Sequence, residues 1–129
     1  MRTVLDVTAS ESEYVRFCAV LTAFAESDFK SDAVQGKTIG VYQQNPKWWP
    51  SALKGTEAQC RAFVADFTRQ MRSHNGNPVH DCWVTQRWAV PNDGATWPDP
   101  GPGFETAPES ANYVRRLPAV TRILTEGHL

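Results

Sequence analysis

The feature that most constrains this chain is an apolar stripe between residues 10 and 25. Tyr14, Phe17, Cys18, Leu21 and Ala25 recur at helical spacing. Val20 and Phe24 widen the stripe at its edges. A helix apolar over so broad a face has to be contacted from several sides, which places it at the centre of the core. Ser10 with Glu13, or Thr8 with Glu11, offers a capping box for its start. The pattern predicts a helix over residues 10–25.

The rest of the chain supplies material to surround that helix. Residues 27–55 are polar and punctuated by Gly36, Gly40, Pro46, Pro50 and Gly55, so irregular structure is expected, with a short hairpin around Lys37 to Tyr42. A second helix is expected over residues 56–72. Its stripe is Cys60, Phe63, Val64, Phe67 and Met71, with Thr56 and Gln59 as a capping box. Asn77-Pro78 reads as the cap and first residue of a third helix ending near Trp88. Residues 91–108 are rich in Pro and Gly and form a long loop, either a lid, a groove wall or a plain surface loop. A last helix is expected from Pro108-Glu109 through Tyr113, Val114, Leu117 and Leu124, broken or kinked at Pro118. The fold class is therefore mainly α, with a small hairpin and long loops at one end.

Bulk properties narrow the partners. A chain of 129 residues suits one domain. The formal net charge is -1, with no basic excess, so nucleic acid is not the expected partner. Polymer recognition then has to come from a shaped groove, and five tryptophans suit one. Cys18, Cys60 and Cys82 are odd in number and fall on apolar helix faces; reduced core thiols are expected, as in a reducing cytoplasm. His74, His80 and His128 form no ligand spacing with cysteine or acid, so neither a metal nor another cofactor is expected. The N-terminus lacks a signal-peptide pattern, and no stretch is apolar for long enough to span a bilayer.

Two segments carry candidate chemistry. Glu26 follows the last apolar position of the first helix, beside Phe24 and Phe29. The negative end of the helix dipole and desolvation both favour its protonated form. A carboxyl that holds its proton near neutral pH is what general acid catalysis needs. The plain alternative is an exposed Glu at a frayed helix end. The second segment is Thr38-Ile39-Gly40-Val41-Tyr42-Gln43-Gln44-Asn45-Pro46, followed by Trp48 and Trp49. Tyr42 and Trp48 offer flat apolar faces, and Gln43 and Gln44 offer amides, the two group types that bind sugars. The alternative is a strand and turn with core tryptophans.

In order, these elements resemble a known family. Glu26-Ser27-Asp28-Phe29 followed by Thr38-Ile39-Gly40-Val41-Tyr42-Gln43 is similar to the soluble lytic transglycosylase and goose-type lysozyme families, with Thr38 in place of the usual Ser. Gly40 to Pro46 resembles the Gly-Leu-Phe-Gln-Gln-Arg-Pro of actinobacterial and phage relatives, with Asn45 replacing Arg. Cys60-Arg61-Ala62-Phe63 and Thr85-Gln86-Arg87 look like two later elements. Where many transglycosylases have Tyr-Asn-Ala-Gly, this chain has Gln86-Arg87-Trp88.

The resemblance implies a lysozyme-like α+β fold whose central helix carries the catalytic Glu beside a cleft. It implies Glu26 as the acid, with Tyr42, Gln43, Gln44, Trp48 and Gln86 as glycan contacts. The reaction would cut the β-1,4 bond from N-acetylmuramic acid to N-acetylglucosamine in peptidoglycan. A single Glu suffices for a lytic transglycosylase. A hydrolase needs a second carboxylate, for which Asp32 and Asp93 are the candidates; Asp28 is expected to point away. A non-catalytic glycan-binding or virion domain of the same shape is the remaining alternative. The implied setting is phage-type lysis: a monomer in the host cytoplasm, released through membrane holes to the wall. The chain would be a single catalytic domain, alone or as a piece of a larger modular lysin.

Overall fold

The computed structural model describes residues 1–88 and 108–128. Helices dominate them: α1 (Arg2–Val7), α2 (Glu13–Ser27), α3 (Thr56–Arg69), α4 (Pro78–Trp88), α5 (Pro108–Val114) and α6 (Leu117–Glu126). A two-stranded antiparallel hairpin, β1 (Val34–Gln35) and β2 (Thr38–Ile39), lies between α2 and α3. Short 3-10 turns occupy Pro50–Leu53 and Met71–Ser73. Among the described residues no helix is long and apolar enough to cross a membrane.

The wide apolar stripe does make α2 central. It touches α1, α3, α4, α5 and α6, and its Cys18, Ala19, Val20 and Leu21 are fully buried. Its start differs from expectation. Ser12 is the cap, its hydroxyl accepting the Val15 N–H at 3.2 Å. The Thr8 hydroxyl instead donates to the Val4 carbonyl at 2.7 Å at the end of α1, and Ser10 sits in the intervening turn. The helix also runs past residue 25, so Glu26 and Ser27 belong to its last turn. There Asp28 adopts a left-handed conformation (φ 53°), and its N–H bonds the Phe24 carbonyl at 2.9 Å. That bond closes the helix in the left-handed ending, and the Phe29 N–H also reaches Ala23 O at 3.4 Å.

The remaining elements pack around α2. The α1 helix, unmarked by any long stripe, buries Val4 and Leu5 and lies against α3 and α2. Helix α3 buries Cys60, Phe63 and Phe67. Gly55 precedes it, with no side-chain cap; the expected Thr56–Gln59 box does not form, because the Gln59 amide donates to Ala52 O at 2.9 Å. Asn77 caps α4 as expected, its side-chain oxygen accepting the Val79 N–H at 3.0 Å. The last helical stretch is two helices meeting at Arg115-Arg116, and Pro118 stands in the first turn of α6 rather than inside a helix.

The hairpin lies a little before the predicted Lys37–Tyr42, with Val34 opposite Ile39 and Gln35 opposite Thr38. Residues 40–43 are consumed by a further turn, closed by two Ile39–Gln44 backbone hydrogen bonds of 3.0 Å. All three cysteines are buried free thiols.

Candidate active site

The last turn of α2 projects Glu26 into a half-buried position. Helix α5 approaches this turn from outside. Its Tyr113 is buried and donates a hydrogen bond to Glu26 Oε1 at 2.6 Å. The neighbouring Asn112 donates to the Ala25 carbonyl at 2.7 Å, one of the C-terminal carbonyls that helical bonding leaves over. Arg116 then braces the corner. Its guanidinium bonds the Asn112 backbone oxygen at 2.9 Å and the Asn112 side chain, pairs with Asp28 at 3.2 Å, and lies 5.1 Å from the centre of the Phe24 ring.

The electrostatics of Glu26 follow from this setting. Burial raises its proton affinity above the ordinary carboxylate value. Hydrogen bonds from Tyr113 and Gln86 pull it partly back, and the net shift is upward. The cause differs in emphasis from the sequence argument: desolvation leads, with Phe24 and Phe29 stacked 5.3 Å apart beside the helix end. Phe29 has φ 62°, a left-handed conformation that a bulky residue adopts under constraint.

The predicted sugar contacts divide sharply. Gln86 lies beside Glu26, half-buried, and donates to the Tyr42 carbonyl at 2.9 Å. Trp48 is 42% exposed, with the Lys47 ammonium over its ring, 4.8 Å from the centre. Tyr42, Gln43 and Gln44 are not groove contacts. Tyr42 is fully buried; its hydroxyl donates to Ala19 O of α2 at 2.9 Å, and its ring stacks on Phe63 at 5.1 Å. The Gln43 amide donates to the carbonyls of Gly40 and Ala33 at 2.8 and 3.1 Å and accepts from the Thr38 hydroxyl at 2.8 Å. Gln44 donates to Gln59 O at 3.0 Å and accepts from the Ser51 hydroxyl at 2.7 Å. The physical reason is the loop itself. An irregular segment pressed into a core leaves carbonyls without ladder partners, and glutamine side chains satisfy them.

The same loop is tied to the acid. Ser27 Oγ, next to Glu26, donates to Val41 O at 2.8 Å and to Ala23 O at 3.0 Å. Gly40 adopts φ 83°, and a Cβ there would come within 2.3–2.6 Å of the Gln59 amide. Its close approach is to α3.

Among the described residues the candidates for a second carboxylate lie elsewhere. Asp28 is turned to Arg116. Asp32 is exposed and lines a cleft with Val34, Ile39, Leu53 and Gln59, whose walls do not include Glu26. Asp93 lies outside the described residues. Among the described residues no group of three or more His, Cys, Asp or Glu is arranged to hold a metal ion.

Sequence reasoning missed Tyr113 and Asn112. The sequence places Tyr113 only in the run of the last helix, and the signal it offers is that a buried tyrosine hydroxyl requires a polar partner. Comparison with family models, curated proteins and solved structures returns no match for this chain.

Proposed function

We propose that this chain is a lysozyme-like glycosidase that cuts the glycan strand of peptidoglycan with Glu26 as its acid, by a lytic transglycosylase mechanism. The observation that carries this reading is the setting of Glu26: it lies in the last turn of a central helix, burial raises its proton affinity, and Tyr113 and Gln86 present neutral donors to it. The ordered motifs around Glu26 and Gly40 to Pro46 supply the substrate class. Constrained backbone at Asp28 and Phe29, immediately after the acid, is the kind of strain that collects at working sites.

The chemistry follows from the two opposing influences on one carboxyl. The desolvated acid gives its proton to the glycosidic oxygen as the C–O bond breaks and positive charge spreads over the sugar ring. The carboxylate left behind is stabilised where it forms, by the hydroxyl of Tyr113 and the amide of Gln86. It next takes the proton from the sugar's own 6-hydroxyl, whose oxygen closes onto the anomeric carbon as a 1,6-anhydro ring. One carboxyl serves both steps. Among the described residues burial and hydrogen bonds set its affinity, with no acid among the causes, and on that ground we favour the single-carboxyl route.

The test is Glu26→Gln on purified peptidoglycan. Clearing should fall at least ~10³-fold, in line with loss of a general acid. Equal clearing by both proteins would remove Glu26 from the mechanism, and clearing by neither would favour a binding module. Mass spectra of the fragments then decide the route. Anhydro ends, lighter by one water, are expected, whereas reducing muramic ends would mean hydrolysis.

A further inference from the structure

A cleft whose described walls are separate from the Glu26 turn lies between the hairpin and the segment entering α3. It has a volume of 360 Å³, within the size range of ligand pockets. Val34, Ile39, Ala52 and Leu53 give it aliphatic walls, and among the described residues no aromatic ring lines it. Val34 and Leu53 at its mouth are 69% and 76% exposed, the two most exposed large apolar side chains among the described residues. Side chains of this type that stay in water around a concave site mark a surface that binds.

Two polar groups of the cleft, Gln59 and Asp32, offer acceptors, beside the Ser31 hydroxyl, which can donate or accept. Gln59 is 4% exposed, and its Nε2 is committed to Ala52 O at 2.9 Å. Its Oε1 is buried with no hydrogen-bond partner. An orphaned buried amide oxygen costs free energy unless something donates to it. Asp32 adds a carboxylate at the exposed rim. The cleft therefore asks for an aliphatic ligand that brings N–H donors, with a positive charge favoured near Asp32. Sugar rings fit this poorly, because they bind by stacking on aromatic faces.

We propose that this cleft binds the stem peptide of peptidoglycan, with alanine methyls against Val34, Ile39 and Leu53, an amide N–H on Gln59 Oε1, and the free ammonium of the stem's diamino acid beside Asp32. This rests on the wall-cutting reading above. It adds a peptide requirement that the site at Glu26 does not contain.

The experiment is a titration of the intact protein with a synthetic stem peptide, followed by amide chemical shifts. Perturbations should concentrate at residues 31–34 and 52–59. Acetylating the diamino acid's free amine should weaken binding about tenfold. Asp32→Asn should weaken the free-amine peptide to the same level and leave the acetylated peptide unaffected. Leu53→Asp, an exposed change, should abolish binding of both. No binding at millimolar peptide, perturbations elsewhere, or indifference to acetylation would overturn the proposal. Glu26→Gln should bind the peptide as the parent does. Peptide binding without glycan cutting would sink the glycosidase reading alone; cutting without peptide binding would sink this one alone.

Discussion

Two tyrosine–carboxylate pairs sit at opposite ends of this molecule's chemistry. Tyr113 donates to Glu26, and Tyr14 donates to Asp81. Both carboxyls are drawn out of water, and burial pushes both towards the protonated form. They nevertheless titrate in opposite directions. Asp81, fully buried, also meets His80 Nδ1 at 2.7 Å and accepts the backbone N–H groups of Asn75 and Gly76 at 2.9 and 3.1 Å. Those bonds outweigh burial and hold it below the usual carboxylate range. Glu26 has two donors, and burial wins. The number of donors thus separates a carboxyl held towards its anion from one whose proton affinity is raised, with the same tyrosine contact in each.

The comparison also fixes opposite pH dependences. Asp81 has a folded-state pKa below its unfolded one, so it contributes stability above the ordinary carboxylate pKa and loses it as pH falls through the folded value. Glu26 has its folded pKa raised, so the folded state favours the proton. Its contribution is complete below the unfolded pKa and is lost as pH rises through the folded value.

Breaking the structural member should have the largest effect on the fold. Asp81→Ala leaves Tyr14, two N–H groups and His80 without their shared acceptor, and should cost about 3–5 kcal/mol. Denaturant unfolding should show a lower midpoint at an unchanged slope. A loss below about 1 kcal/mol would mean that the network adds little net stability.

Next in size is Tyr113→Phe. It leaves the ring and removes the donor that favours the Glu26 carboxylate. The Glu26 pKa should climb further, moving the alkaline limb of the kcat/KM profile up by about one pH unit, the scale of one charge-assisted hydrogen bond. The maximal rate should fall about tenfold, because the new carboxylate is less well stabilised. An unmoved limb would detach Tyr113 from the proton inventory.

The smallest effect sharpens the contrast. Tyr14→Phe removes one donor of several from Asp81, so about 1 kcal/mol of stability should go. The pH–rate profile should not move. A shift in that profile would mean that the two carboxyls are coupled through the core.

The sequence was most legible where periodicity and burial agree. The stripe from Tyr14 to Ala25 located α2 and its central place, because a wide apolar face has one energetically sensible home. Asn77-Pro78 located α4, since capping chemistry is local. Caps failed where several candidates compete within a few residues: Thr8, Ser10 and Ser12 all qualify, and the end of α1 engages Thr8. The hairpin's flank was the least legible part. Tyr42, Gln43 and Gln44 have the composition of a sugar site, but their polar atoms are spent on carbonyls of Ala19, Gly40, Ala33 and Gln59. Nothing in the residue types separates these uses. Tyr113 escaped notice because its partner stands 87 positions away in the chain.

The staples on that flank have a consequence for how this surface can change. Ser27 and Gln86 hold residues 41 and 42 by their main-chain oxygens. Such a grip is blind to the side chain it holds. The hairpin tip is also unencumbered: nothing lies within 4 Å of where a Cβ on Gly36 would stand. Together these make the hairpin a replaceable cassette. Its tip can be lengthened, charged or exchanged, while the anchoring bonds keep residues 41 and 42 in register beside the end of α2.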